Sequence, residues 1–180
     1  DRTGNRRVMD RFVSIGEVVK AIGLKGEVKL YPLLDFYEPL LDSDYLVWQD
    51  GSPASLKSHR QAGSCYALKC ADVNDRNAAE SMTGRELGFM SNSYLAEDFD
   101  RPGAGLPFRY LGREVHTVDG QVIGTVEEVR LGGALYLLVV PGESGEILIP
   151  SVEPILRFDD ELEGPLVIDP PEGLLDVQSG

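Results

Sequence analysis

The feature that most constrains this chain is its division into short β-type runs separated by tight turns. Residues Glu114 to Val118, then Asp119-Gly120, then Gln121 to Val126 form a strong hairpin signal, since Asp-Gly tolerates the positive φ such turns require. Leu135 to Val140 is almost continuously apolar, the pattern of a strand buried on both faces or closing a barrel. Glu146–Ile149 and Leu166–Ile168 supply two more strands, and Ser151–Leu156 a short helical turn. Strands this short and this close together must close on themselves or pack face to face to protect their edges. A small barrel is the economical solution for the second half.

The first half reads in the same style. Phe12 to Val19 is β-rich, Gly23-Leu24-Lys25-Gly26 makes a turn, and Glu27 to Tyr31 alternates polar and apolar until Pro32 ends it. Tyr45–Trp48 followed by Asp50-Gly51 predicts a hairpin, Cys65–Cys70 a strand, and Arg85–Met90 a closing strand. One helix interrupts them over Asp75–Met82, capped by Asn74 or Asp75, with Gly84 beyond its end. The fold class expected is therefore all-β with one or two short helices, arranged as two small β-barrels. The Gly, Pro and acid content between Glu97 and Pro107 is that of a connector. It divides the chain into a domain over 1–97, a linker over 98–107 and a domain over 108–180.

Charge narrows the function. The 180 residues hold 17 basic and 30 acidic side chains, a net charge of -13. That sign argues against gripping naked nucleic acid as the main task, and against an anionic membrane surface. The longest uncharged and mostly apolar run, Leu131–Gly142, contains three glycines and a proline. A spanning helix needs ~20 apolar residues, so no membrane association is expected. The polar start of the chain, with Arg2, Arg6 and Arg7, offers no apolar signal region. Two cysteines, Cys65 and Cys70, are too few for a disulfide framework and lack companions for zinc. A cytoplasmic monomer without metal or cofactor is the expectation.

Enzyme motifs are missing: neither phosphate-binding glycine loops, nor a nucleophile elbow, nor a zinc-binding histidine pair occurs in the sequence. His59 and His116 fall in different domains and read as structural or exposed. Asp159-Asp160-Glu161 with Glu163 could in principle supply an acid and a base. Neighbours in an extended chain point to opposite faces, so these acids, like Glu127-Glu128, read as solvated turns.

Two segments suggest binding instead. Within residues 1–30 seven basic residues face four acidic ones, a local excess that could touch phosphate through Arg11, Lys20, Lys25 and Lys29. Gly23 and Gly26 flank Lys25 in a turn where a partner's backbone could approach closely; a plain hairpin turn with solubilising lysines is the competing reading. From Glu143 to Asp176 there are ten acids and one base, Arg157. Such a surface attracts cationic proteins, or merely solubilises the chain.

The run Gly16-Glu17-Val18-Val19-Lys20-Ala21-Ile22-Gly23-Leu24-Lys25-Gly26-Glu27-Val28-Lys29 resembles the opening signature of the ribosome maturation factor RimM family. Asp72-Val73-Asn74-Asp75-Arg76 with Ala79-Glu80 and Gly84 is similar to its middle segment. Leu111-Gly112, Val115, Gly120, Gly124-Thr125-Val126, Gly133-Ala134, Leu137–Val140, Ile149-Pro150, Asp169 and Gly173–Leu175 resemble its second domain. The order and spacing of these pieces, over about residues 11–176, carry the likeness. It implies an N-terminal translation-factor-like barrel and a C-terminal PRC-type barrel. It also implies a non-enzymatic factor that supports maturation of the 30S head and processing of 16S rRNA by binding small-subunit ribosomal protein nineteen. Where the family carries a tyrosine pair, this chain has Phe108-Arg109-Tyr110, and these three are the expected protein-contact residues. Lys20, Gly23, Lys25, Gly26 and Lys29 are the expected, secondary rRNA or ribosome contacts. Two alternatives stand beside this reading: a PRC-barrel module serving another assembly, and a small hydrolase using Asp159 or Glu161.

Overall fold

The computed structural model describes residues 9–103, 105–157, 159 and 161–176. Arg2, Arg6 and Arg7, Ala104 of the expected linker and Asp160 of the acidic turn lie outside them. The chain forms two compact units, Asp1–Pro102 and Gly103–Gly180.

The first unit is one six-stranded antiparallel sheet. Its strands are β1 (Phe12–Ile22), β2 (Glu27–Pro32), β3 (Val47–Trp48), β4 (Leu56–Ala62), β5 (Cys65–Cys70) and β6 (Glu86–Met90), in the order β3-β6-β1-β2-β5-β4. The long β1 skips register once against β6, between Ser14 and Gly16, and once against β2, between Val18 and Lys20. Each irregularity adds bend and twist, so the sheet curls around Ile15, Val18, Val28, Leu30, Leu68, Leu87 and Phe89, all essentially inaccessible. The curl demands close approach. A Cβ on Gly88 would lie 1.9 Å from the Val13 carbonyl oxygen, so only glycine fits there.

The sheet curls into a half-barrel whose two edges, β3 and β4, do not pair with each other among the described residues. The Asp50-Gly51 turn is present, but the hairpin it closes shrinks to a Val47–Pro53 bridge. The helix α1 (Arg76–Glu80) is shorter than the pattern suggested; the Asp75 carboxylate caps it by accepting from the Ala78 amide at 2.8 Å. The expected linker also begins too early. Phe99 is buried against Phe89 and Tyr94, and the Tyr45 hydroxyl donates to Asp98 at 2.5 Å. Both residues therefore pack with the first unit.

The second unit holds two three-stranded sheets. β9 (Glu128–Gly132), β10 (Leu135–Gly142) and β11 (Gly145–Pro150) form one, in the order β11-β10-β9. β7 (Glu114–Thr117), β8 (Val122–Thr125) and β12 (Leu166–Ile168) form the other, with β12 parallel to β7. The two sheets enclose a core of Val115, Val126, Leu138, Val140, Ile149 and Ile168, among others. Gly124 lets β8 pass close to β10, since a Cβ there would meet Val140 at 2.6 Å. No helix among the described residues is long and apolar enough to cross a membrane.

Candidate functional site

Two places draw together residues singled out from the sequence. The first is the turn between β1 and β2. Its two glycines do different work. Gly23 is exposed at φ +64 with open space around it, whereas Gly26 is buried at φ +99, and a Cβ there would fall 2.2 Å from the Val73 carbonyl oxygen. The turn is thus seated on the 70–74 loop, which Lys69 gathers by donating to the carbonyl oxygens of Cys70 and Val73 and to the Asn74 side chain. Arg76, at the start of α1, donates to the Gly23 carbonyl at 2.8 Å. Beside the turn opens a groove of about 440 Å³, lined by Lys20, Gly23, Lys29, Arg60, Ala62 and Arg76 among others. Lys25 lies outside it, in an adjoining hollow of about 670 Å³ with Leu24 and Lys69. Sequence reading found Lys20 and Lys29 but missed Arg60 and Arg76. Only strand register and the Gly23 contact bring those two arginines to the same groove.

The second place is the turn Pro107–Tyr110 that opens the second unit. Phe108, Arg109 and Tyr110 are all buried, and Tyr110 belongs to the unit's core. As placed, these side chains are not surface anchors. Arg109 donates to the Asp159 carbonyl oxygen and to the Tyr110 hydroxyl. Arg113, 4% exposed, grips the Asp159 carboxylate at 2.8 and 3.3 Å and the carbonyls of Glu161 and Gly164 at 2.9 Å each. The Asp159 carboxylate, a candidate acid in the sequence, therefore belongs to a clamp that ties Asp159, Glu161 and Gly164 to the start of the unit. On the outside, Arg130 lies between Glu128 and Glu146, bonding Glu146 at 2.8 and 3.1 Å. Its hydrogen bond holds the Glu128 carboxyl below its ordinary range. His116 sits 3.0 Å from Glu114 in the second unit, and His59 2.8 Å from Asp42 in the first. Cys65 and Cys70 are both free and buried, and burial pushes the Cys70 thiol up. Among the described residues no group of acids, histidines and cysteines is placed to hold a metal ion.

Residues 13–93 match the model of the RimM N-terminal domain, and residues 107–174 that of the RimM PRC barrel domain. The ribosome maturation factor RimM of Anaeromyxobacter dehalogenans is 33% identical over 172 residues, covering 92% of this chain and 98% of its own. The factor of the same name from Prochlorococcus marinus is 33% identical over 175 residues, 93% of this chain and 98% of its own. That of Moorella thermoacetica is 29% identical over 174 residues, 91% and 97% respectively. The chain belongs to the RimM family of ribosome maturation factors. RimM factors are non-enzymatic, which agrees with an Asp159 engaged by arginine and removes the hydrolase alternative. The curled half-barrel is the RimM N-terminal domain and the paired three-stranded sheets are the PRC barrel.

Proposed function

We propose that this chain supports assembly of the small ribosomal subunit, aiding maturation of the 30S head and processing of 16S rRNA by binding rather than by catalysis. The observation that carries this reading is the match of both halves to the two domains of the RimM family. The PRC barrel docks small-subunit ribosomal protein nineteen, and the half-barrel works near rRNA as a secondary contact. Charge supports this division of labour. Residues 103–180 hold fourteen acids against four arginines, and three of those arginines, Arg109, Arg113 and Arg130, are already bonded to acids or carbonyls of the same unit. The outward field is therefore acidic, suited to steering a basic protein. Phe108, Arg109 and Tyr110 support the docking surface from beneath, and exposed residues beside them, such as Leu111, meet the partner. A factor that recognises one conformation of its partner stabilises it there, which is how binding alone promotes folding of the subunit.

The test is a titration of the full chain with ribosomal protein nineteen over a range of salt. Binding should weaken as salt rises, and neutralising Glu161 and Glu163 together should slow association. Preference for bare 16S rRNA over the protein, or binding indifferent to both salt and these acids, would overturn the reading.

A further inference from the structure

One row of side chains in the half-barrel works against the sheet that carries it. Lys20 and Lys29 are direct cross-strand partners on β1 and β2, and like charges so placed destabilise a sheet. The row continues through Ala67 of β5 to Arg60 of β4. Registered partners project from the same face, so three cations share one face, with only a methyl group between Lys29 and Arg60. Arg76 reaches the same groove from α1, fixed by its bond to the Gly23 carbonyl. Nearby acids cancel this charge only in part: Glu27 pairs with the exposed Arg60 at 3.0 Å, and Glu80 approaches Arg76 to 3.9 Å. Among the described residues no carboxylate pairs with Lys20 or Lys29.

We propose that this groove is a cradle for the phosphodiester backbone of RNA. The inference rests on the reading above that the half-barrel works near rRNA, and gives that contact its residues and its ligand chemistry. The row spans three strand spacings, or ~14 Å along the sheet, which suits successive phosphates of a strand better than one isolated anion. None of the residues lining the groove is aromatic, so the groove itself stacks no base, and its contacts are to backbone rather than sequence. The bound phosphates also relieve the repulsion between Lys20 and Lys29. The free protein therefore carries a local instability that RNA removes.

That coupling sets the experiment. Binding of a labelled 20-nucleotide single-stranded RNA to the full chain is followed across salt, with thermal unfolding of each free protein alongside. The double variant Lys20→Gln/Lys29→Gln should bind more weakly, with a salt slope smaller by roughly 1.4 for two lost phosphate contacts, and yet melt at a higher temperature. Lys57→Gln/Arg157→Gln removes the same charge from residues that do not line the groove and should change neither property comparably. A lowered or unchanged melting temperature in the groove variant overturns the cradle. So does an equal loss of binding in the two double variants, or displacement of RNA by oligoglutamate of equal charge. If wild-type protein ignores RNA but binds ribosomal protein nineteen, the cradle fails and the assembly function stands. If Lys25→Gln alone abolishes RNA binding, the cradle fails while the rRNA contact of the half-barrel survives.

Discussion

Gly23 and Gly26 stand in one turn, both at positive φ, yet substitution should separate them sharply. Gly23→Ala meets no neighbour and bears only the left-handed backbone penalty, about 1 kcal/mol. Gly26→Ala adds a collision with the Val73 carbonyl, which must move together with the bonds Lys69 makes to that loop. A loss of about 3 kcal/mol or more is expected, read as a drop in the urea midpoint. Equal effects at the two positions would mean the turn is not seated on the 70–74 loop. The two positions look alike in the sequence; only the packing of a distant loop distinguishes them. Phe108 and Tyr110 make the same point for the docking site. An aromatic side chain next to a domain boundary serves equally well as a surface anchor or as core, and its composition does not say which.

At the scale of elements, strands with a strong local signature were readable. The Asp119-Gly120 hairpin, the apolar β10, the alternating β2 and the Asp75 cap each carry their own turn or period. β4 escaped notice because only Leu56 and Ala62 in it are apolar, so an edge strand looked like a polar loop. β9 was hidden by Glu127-Glu128, which resembles a solvated acidic pair until β10 takes it as a partner. Arg60 was lost together with β4, and with it one of the groove's four cations. The arginine clamp is likewise an arrangement of elements, joining the Pro107–Tyr110 turn to a loop some fifty residues later. Asp159→Ala leaves Arg113 buried without its carboxylate, and removing one member of a buried pair is strongly destabilising. Because Asp159 is 28% exposed, the loss should sit near the lower end, about 3 kcal/mol in chemical denaturation. An unchanged midpoint would show that the carbonyls of Glu161 and Gly164 suffice to hold Arg113.

Taken as a whole, the molecule divides its charge: an acidic PRC barrel and a half-barrel with a basic groove. The net value of -13 describes neither part. The half-barrel's open sheet adds a further constraint. β3 is only two residues long, but β4 offers seven residues of edge, and a bare edge is a template on which a second chain can add its own strand. Lys57 and Arg60 stand on that edge as gatekeepers, so a side chain of the groove also keeps copies of the protein apart. Replacing both with valine should produce self-association that grows with concentration, visible by sedimentation, and glutamine, which also removes the charge but is polar, should produce it to a lesser degree, whereas arginine at 57 with lysine at 60 should leave a monodisperse protein. In the cradle proposed above, the arginine that meets phosphate is the same one that guards the sheet edge against strand addition.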